Sequence, residues 1–372
     1  MRAELIRMPR LLNHYLRSAL LHTHPVVWDL NIVMTNRCNQ ACPMCNAGIS
    51  NQDFAQVMSI DSFGRYRQAL SGMSILVGTF SGGEPTLTPD LPEILTDAKQ
   101  FFQERVMLIS NFYTRGALFQ RAMRAALATN AHIVCSFDGF GAVADQLRGS
   151  NDVARIVVDN IRAVDEMALR MKSSSALELH TVLSDRNLDQ LDNILNFSAR
   201  LGWAQTIAPV NPPESQKWTG STALTPSRKL ERAIDVALRA PNIRQLGAYI
   251  AGIPAYASRQ HRKHCPYMTR GLETFKVFLE PNGDVSLCDR RPIGNLNTAC
   301  LADILRGHAY EEFLHRAARC SGCWLSCFTE PVLGLSPSNI ADTVTKRLWP
   351  RPIKPTWPMG PNIPAKAGGE TW

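Results

Sequence analysis

Three cysteines lie close together near the N-terminus, Cys38, Cys42 and Cys45, in the pattern C-x3-C-x2-C. Thiolates bind zinc and iron–sulfur clusters, and a closed structural site of either kind takes four ligands. No fourth cysteine follows within the same short segment. The triad therefore predicts a metal cluster with one coordination position open to a ligand that reacts.

A second group of cysteines lies in the C-terminal part of the chain. Its members are Cys265, Cys288, Cys320, Cys323 and Cys327. The last three form C-x2-C-x3-C, and C-x2-C is a signature of zinc as well as of iron–sulfur ligation. Spacing alone therefore leaves a structural zinc ribbon and a cluster both open. Five thiols suffice for one cluster but not for two that are fully ligated by cysteine.

Two further cysteines, Cys135 and Cys300, fall inside a predicted strand and at the start of a predicted helix, where we expect small apolar residues rather than ligands. The N-terminus lacks the apolar run and cleavage site of a secretory signal, so we expect reduced thiols and a cytoplasmic protein. No stretch approaches the 18 apolar residues of an ordinary transmembrane helix.

The segment Ser81-Gly82-Gly83-Glu84-Pro85 is the third feature that could bind a ligand. Paired glycines allow a small ligand to approach the backbone, and the Glu84 carboxylate can accept a hydrogen bond from an ammonium group. The segment follows the second predicted strand, and the cysteine triad follows the first. Because the carboxyl ends of parallel strands meet at one edge of the sheet, we expect this segment and the cysteine triad to lie at the same edge.

From Trp28 onward, predicted strands alternate with predicted helices. These elements must position the cysteine triad and the Ser81–Pro85 segment. The predicted strands are 28–35, 74–80, 105–110, 131–136, 177–183 and 204–209, and the predicted helices are 60–71, 90–104, 116–128, 151–172 and 187–201. Six strands alternating with helices indicate an α/β fold with a parallel sheet, either open and doubly wound or a partial barrel. Beyond 210 we predict helix over 226–256 and 300–318 and a β-hairpin over 274–288.

The chain resembles the radical S-adenosylmethionine (SAM) enzymes in several motifs that occur in matching order over residues 28–210. They are C-x3-C-x2-C, the GGEP run, Ser110-Asn111, the run from Cys135 to Gly139, and Arg148-Gly149. The resemblance implies a TIM-like partial (β/α)6 barrel. It also implies an open-site [4Fe-4S] cluster on Cys38, Cys42 and Cys45 whose unique iron is chelated by SAM.

Further SAM contacts are implied residue by residue. Gly82, Gly83 and Glu84 would hold the methionine amino group, and Ser136 and Arg148 would reach the carboxylate or the ribose. An arginine suits a carboxylate because its planar fork pairs bidentately. Asn111 is a further implied contact. Asp138 is either another contact or a turn residue before Gly139.

The C-terminal cysteines resemble the SPASM or twitch extension of the same family, which implies a second, auxiliary [4Fe-4S] cluster in an α+β region. The implied ligands are Cys265, Cys288, Cys320 and Cys323, with Cys327 able to replace one of them. Two departures are the 17 residues between Cys265 and Gly283 and the absence of the full set of seven SPASM cysteines. We expect the barrel to have a core of its own, separate from this extension.

The implied function is reductive cleavage of SAM to a 5′-deoxyadenosyl radical, which abstracts hydrogen from a small-molecule or peptide substrate. The auxiliary cluster would assist oxidation or cross-linking, and an external donor such as flavodoxin or ferredoxin would supply electrons. The alternatives are an iron–sulfur electron carrier and a zinc-stabilised binding module. Only about 27 residues precede the first strand, which favours a small molecule or a directly bound peptide over a separate recognition domain.

The 372-residue chain carries a formal charge of +8, but the positive charge lies at its ends. The first 25 residues hold +3 and the last 27 hold +4, which leaves +1 between them and predicts no nucleic-acid partner. Residues 1–27 predict an amphipathic helix that packs on the body or, as the less favoured alternative, contacts a membrane surface. We expect a core over 28–212, an auxiliary-cluster region over 213–330 and a disordered Pro-rich tail over 331–372.

Overall fold

The computed structural model describes residues 26–45, 56–211, 222–269 and 271–343. Six strands of this part pair side by side in parallel, each with the next one along the chain. They are β1 (Val26–Val33), β2 (Ser74–Ser81), β3 (Arg105–Ser110), β4 (His132–Ser136), β5 (Leu177–Leu183) and β6 (Ala204–Pro209). The predicted six-stranded parallel sheet is confirmed.

Helices connect these strands, as right-handed crossovers in a parallel sheet require. They are α1 (Ile60–Ala69), α2 (Leu91–Phe101), α3 (Ala117–Ala128), α4 (Gly141–Arg148), α5 (Val153–Met171) and α6 (Leu191–Leu201). Helix α2, for example, buries Ile94, Leu95 and Ala98 in the same core as the strands. Leu147 of α4 and Leu191 and Leu195 of α6 belong to a second hydrophobic cluster. Strands and helices together form the expected partial barrel.

The C-terminal part adds three strands and several helices. The strands are β7 (Lys276–Leu279), β8 (Asp284–Ser286) and β9 (Pro292–Asn295). The helices are α7 (Arg228–Arg239), α8 (Gly247–Ala251), α9 (Ile253–Ala257), α10 (Leu301–Ile304), α11 (His308–Arg319), α12 (Ser326–Gly334) and α13 (Ile340–Thr343). The predicted hairpin is confirmed as β7 and β8, which pair antiparallel.

The extension is continuous with the barrel sheet. Strand β7 pairs in parallel with β1, and the order is β6-β5-β4-β3-β2-β1-β7-β8-β9. One hydrophobic cluster contains Leu30 and Ile32 of β1, Val277 of β7 and Phe313 of α11. The expectation of a separate barrel core is therefore wrong, because β7 extends the sheet and shares its buried face.

Side chains alternate across the strands, so the two faces of the sheet differ. On β5, Leu179, Thr181 and Leu183 are fully buried, whereas Glu178 and His180 point to the opposite face. That opposite face is the inner face of the partial barrel. It carries polar groups, among them Ser81, whose hydroxyl bonds to Asn31 at 2.6 Å.

The sequence predictions differ from the structure in a few elements. Helix α4 was missed, the stretch 226–256 divides into α7, α8 and α9, and 300–318 divides into α10 and α11. The predicted start of a disordered tail at residue 331 is wrong, because α12 continues through Pro331 and buries Leu333. Asp342 then accepts a hydrogen bond from the Gly247 N–H at 2.6 Å, which fastens α13 to α8.

Two predictions lie outside the described residues, namely the N-terminal amphipathic helix over 2–22 and the remainder of the tail beyond residue 343. Among the helices that the structure does describe, none combines the length and the apolar character needed to cross a membrane.

Candidate functional site

The segment that carries the cysteine triad leaves β1 and lies directly against the glycine pair after β2. The Gly83 N–H donates to Thr35 O and the Glu84 N–H to Arg37 O, each at 2.7 Å. A Cβ at Gly83 would lie 1.8 Å from the Arg37 carbonyl oxygen, so only glycine allows this contact. The close approach that these glycines permit is therefore made by the cysteine segment of the protein itself.

The other side of the cysteine segment packs against Gly149, just after α4. This glycine has a φ of +57°, and a Cβ there would lie 2.2 Å from the Ala41 carbonyl oxygen. The segment is thus clamped between the ends of β2 and α4. Its three thiols are held at the carboxyl edge of the parallel sheet, as predicted from their position after the first strand.

The three thiols form one electrostatic group. Burial, together with the nearby charges of Glu84, Cys42 and Cys45 and against a backbone hydrogen bond that lowers it, raises the pKa of Cys38 to about 12. Burial also raises the pKa of Cys42, and Arg148 opposes this rise. Without metal Cys38 and Cys42 hold their protons at neutral pH, so metal binding must release them. Three convergent thiols fit an iron–sulfur cluster with one open position.

Glu84 is fully buried, and its carboxylate is surrounded by protein donors. It accepts hydrogen bonds from the N–H and hydroxyl of Thr86, the hydroxyl of Ser110 and the N–H of Asn111, at 2.6 to 3.0 Å. Burial raises its pKa, and these bonds oppose the rise. The carboxylate thus joins the ends of β2 and β3, a role that the sequence did not reveal.

Asn111 connects this junction to the cysteine triad. Its side-chain amide nitrogen lies 3.7 Å from Cys38 Sγ and donates to Asn39 Oδ1 at 2.8 Å. Its side-chain oxygen accepts from the Tyr113 N–H at 2.8 Å. The structure therefore brings Asn111 beside the predicted cluster.

Arg148, at the end of α4, forms a buried ion pair with Asp138 at 2.7 Å. Its side chain is 10% exposed, that of Asp138 is 0% exposed, and the guanidinium interacts electrostatically with the Cys42 thiol. Asp138 accepts from the Val182 N–H at 2.8 Å, so the carboxylate is fixed between β4 and β5. Asp138 is therefore more than a turn residue, because it orients Arg148 beside the triad.

One atom of Arg148 has no partner within the part of the chain that the structure describes. Its Nε is buried without a hydrogen bond. A buried guanidinium nitrogen normally has an acceptor. This donor next to Cys42 fits an anionic group bound beside the triad, such as the carboxylate of an amino acid. Ser136 ends β4 on the inner face and pairs in register with His180.

A chain of polar side chains crosses β4, β5 and β6, and sequence reasoning missed it. His132 pairs with Glu178 at 3.1 Å, the Thr206 hydroxyl bonds to Glu178, and His180 Nδ1 lies 2.9 Å from the Thr206 hydroxyl. Burial by itself would raise the pKa of Glu178. The interactions with His132 and Thr206 have a larger, opposite effect, and the pKa is lowered to about 2. The one sequence signal was the Glu-x-His spacing in LELHTVL, which puts both side chains on one face of a strand.

This chain of bonds determines which nitrogen of His180 carries the proton. A carboxylate only accepts, so the Thr206 hydroxyl donates to Glu178 and its oxygen accepts from the Nδ1–H of His180. Nε2 is then unprotonated. Burial lowers the pKa of His180, and Arg148 contributes to this, against the raising effect of Glu178 and Asp138. His180 is therefore neutral at pH 7 and offers a basic nitrogen near the Arg148–Asp138 pair.

The C-terminal cysteines form a second group around the end of β8. Desolvation and the neighbouring thiols Cys327, Cys265 and Cys320, against a backbone hydrogen bond that lowers it, raise the pKa of Cys323 to about 12. Desolvation also raises the pKa of Cys288, with contributions from Cys323, Cys265 and Cys320. We call Cys265, Cys288, Cys320 and Cys323 the thiol quartet. The structure brings the four predicted ligands together.

The fifth thiol, Cys327, lies near Cys323 but also has charged neighbours outside the quartet. Burial raises its pKa, Lys276 lowers it, and Asp29 raises it. Lys276 and Asp29 are themselves an ion pair between β7 and β1. Cys327 thus borders the inner face of the sheet, between the quartet and this ion pair. Cys135 lies in the core, and Cys300 precedes α10 with its Sγ 3.0 Å from Asp303.

No three His, Cys, Asp or Glu side chains of the described residues surround one point closely enough to bind a single metal ion. The thiols of an iron–sulfur cluster bind different iron atoms and stand farther apart. The ten cysteines of the chain are all free.

Comparison with known proteins gives three results. Residues 271–324 match the SPASM family, an iron–sulfur cluster-binding domain. The chain is 27% identical over 352 residues to a PqqA peptide cyclase of Xanthomonas campestris pv. campestris, covering 88% of this chain and 89% of that protein. It is 29% identical over 340 residues to the PqqA peptide cyclase of Xanthomonas euvesicatoria pv. vesicatoria, covering 84% and 86%.

Two solved structures share the fold. Streptococcus suis SuiB bound to its precursor peptide SuiA has a TM-score of 0.61 at 13% identity, covering 86% of this chain and 74% of SuiB. Native anSMEcpe with bound AdoMet has a TM-score of 0.58 at 14% identity, covering 82% of this chain and 88% of that chain.

Proposed function

We propose that this chain, which is a radical SAM enzyme with a C-terminal SPASM region, oxidatively modifies a peptide held against the inner face of its barrel. The observation that carries the proposal is the group of three convergent thiols beside the buried Arg148–Asp138 pair. The PqqA peptide cyclases and the peptide-bound SuiB support a peptide as the substrate class.

Cys38, Cys42 and Cys45 would hold the open-site [4Fe-4S] cluster, and the quartet would hold one auxiliary [4Fe-4S] cluster. Bound SAM and the open-site cluster would supply a 5′-deoxyadenosyl radical that takes hydrogen from an unactivated C–H bond. Electrons would come from an external carrier protein. The free thiols that both sites need are those of a reducing compartment, and we propose the cytoplasm.

Arg148 would bind the SAM carboxylate through its unpartnered Nε, while Asp138 holds the guanidinium in place. Backbone atoms of Gly82 and Gly83 would meet the amino group, and Glu84, whose carboxylate is occupied by protein donors, would hold that segment in place. Asn111 would contact SAM beside Cys38, and Ser136 would contact the carboxylate or the ribose. The barrel wall excludes water from these groups, which strengthens each polar contact.

His180 would accept a proton from the substrate. Oxidation of a C–H bond next to an N–H or O–H group releases one proton in addition to the hydrogen atom and one electron. The Nε2 of His180 is unprotonated and near the Arg148–Asp138 pair. Glu178 and Thr206 orient the imidazole so that this nitrogen remains the acceptor.

Hydrogen transfer tests the substrate class. The reconstituted enzyme would be reduced with dithionite and given SAM together with either the peptide fraction or the small-molecule fraction of a fully deuterated bacterial extract. We expect mass spectrometry to detect deuterium in 5′-deoxyadenosine with the peptide fraction alone. Deuterium from the small-molecule fraction alone would contradict a peptide substrate, and lack of 5′-deoxyadenosine in every sample would contradict SAM cleavage itself.

Replacement of Arg148 by lysine tests the carboxylate contact. We expect Arg148→Lys to weaken SAM binding about tenfold, or about 1.4 kcal/mol. The lysine ammonium keeps the charge, but it lacks the planar set of donors with which a guanidinium can bind Asp138 and a ligand carboxylate at the same time. Equilibrium dialysis with labelled SAM measures the change. Arg155→Lys, in an exposed pair with Asp152 on α5, is the matched control and should bind SAM like the wild type. If Arg148→Lys bound SAM as tightly as the wild type, the role of Arg148 would be confined to its ion pair with Asp138.

A further inference from the structure

Two thiols of the quartet, Cys288 and Cys320, belong to exposed residues. Cationic side chains surround them on neighbouring segments: Arg262, Lys263, Arg290, Arg291, Arg316 and Arg319. We call these six residues the cationic rim. We infer that the cationic rim is the docking surface for an acidic one-electron carrier protein, which passes its electron to the group held by the quartet. The inference rests on the proposed function, because it needs a cluster at the quartet.

Contacts between the segments bring the rim together. The Lys263 ammonium donates to the carbonyl oxygens of Ala317 and Ala318 at the end of α11, next to Arg319. Arg316 of the same helix pairs with Asp289 at 3.0 Å, and Asp289 lies between Cys288 and Arg290. The chain around Gly322 also lies against Lys263. The six cations therefore border one continuous surface around the exposed thiols.

The rim has an excess of positive charge. Two acidic residues beside it, Glu280 and Asp289, are paired with Arg290 and Arg316. Within the described residues, Arg262, Arg291 and Arg319 have no ion-pair partner. Residues 26 to 345 carry a net charge of only +1. Although this part of the chain is nearly neutral overall, folding collects positive charge at the rim.

A surface cavity of about 830 Å³ opens beside the rim. Its lining includes Arg262, Lys263, His264 and Cys265, together with Ser336, Ser338 and Asn339. The concave surface thus places basic side chains next to a quartet thiol. A convex acidic protein surface fits both its shape and its charge.

Electron transfer is the chemistry that this arrangement favours. Proteins that exchange electrons use small, weakly held interfaces, and opposite charges accelerate and orient their encounter. An exposed ligand edge shortens the path between two redox groups. In the proposed step, one electron leaves the reduced carrier and enters the group held by the quartet, and no bond or proton changes.

The experiment uses reconstituted holoenzyme and a bacterial flavodoxin with its NADPH-dependent reductase as the probe. The test variant is Arg262→Glu with Arg319→Glu, since neither residue is in an ion pair of the described structure. Arg124→Glu on α3, also exposed, is the control because α3 packs against α2 and α5, away from the rim. Two quantities are measured: flavodoxin affinity by calorimetry, and 5′-deoxyadenosine formation with flavodoxin or with dithionite.

We expect the double variant to bind flavodoxin at least about tenfold more weakly at low salt and to raise the KM for flavodoxin equally. The dithionite-supported rate should stay within about twofold of the wild type. The difference should shrink as salt rises, because the screening length falls from about 10 Å at 0.1 M to about 3 Å at 1 M.

Unchanged flavodoxin affinity, or lost affinity with an unchanged flavodoxin-supported rate, would overturn the inference. Equal loss with flavodoxin and dithionite would also overturn it, because the cations would then stabilise the cluster. Loss of affinity for a single-stranded RNA oligomer, with flavodoxin binding retained, would assign the rim to nucleic acid instead. A wild type that cleaves no SAM with dithionite would be a failure of the proposed function and not of the docking surface.

Discussion

Replacement of Cys38, Cys42 or Cys45 by alanine is expected to reduce 5′-deoxyadenosine formation at least 100-fold. On the proposed function, each thiol is one of three protein ligands of the open-site cluster, so the loss of any one leaves an iron atom without its ligand. The assay is reductive SAM cleavage with dithionite, followed by chromatography of 5′-deoxyadenosine. Iron content should fall to about four per chain, the amount that one remaining four-iron cluster holds.

Cys300→Ala is the matched control for these variants. Cys300 lies before α10 and contacts Asp303, so its loss should leave both activity and iron content unchanged. Wild-type cleavage in any one of the three triad variants would remove that cysteine from the cluster.

The second large effect is expected at the quartet. Cys323→Ser should reduce the iron content of reconstituted protein from about eight to about four per chain, because Cys323 lies among the other three quartet thiols. Cys327→Ser is the paired comparison and should retain about eight, since Cys327 borders Lys276 and Asp29. Iron and sulfide analysis of anaerobically purified protein measures both. The opposite ranking of the two variants would make Cys327 a ligand in place of Cys323.

The shared core determines what else Cys323→Ser should change. Because β7 pairs with β1 and both belong to one hydrophobic cluster, loss of the auxiliary cluster should lower the melting temperature of the whole protein in one transition. Dithionite-supported SAM cleavage should persist below that temperature. Two separate transitions, with the first alone shifted, would contradict a single cooperative core. Zinc in place of iron at the quartet would contradict the auxiliary cluster.

Much of the fold could be predicted from sequence because local patterns determine it. The six parallel strands have apolar runs and turn residues at their ends, and each predicted strand begins and ends within two residues of the observed one. Helix α4 was missed because it has only eight residues and begins at Gly141, so it shows no long apolar stripe. The pairing of β7 with β1 joins residues about 250 positions apart, which no local pattern reveals.

The candidate site also contains features that local sequence patterns predict and features that depend on the fold. The cysteine triad could be found from spacing within eight residues, whereas the chain from His132 to Thr206 needs three strands in register. The reason for Gly83 also depended on the fold, because the atom that excludes a Cβ belongs to Arg37. Glu84 bonds to the nearby Thr86, but its other partners, Ser110 and Asn111, and the Arg148 and Val182 partners of Asp138 come from other elements of the fold.

The position of β1 between β2 and β7 has a consequence for the newly made chain. Asp29 of β1 and Lys276 of β7 are separated by 247 positions, which a ribosome adding about 5–20 residues per second covers in roughly 12 to 50 s. Throughout that interval one edge of β1 has no strand beside it, and the cysteine segment directly follows β1. Unpaired edges recruit other strands and promote aggregation. Premature termination before residue 276 would therefore leave an aggregation-prone fragment with an unpaired β1 edge. Nascent chains would need protection by a chaperone until β7 emerges.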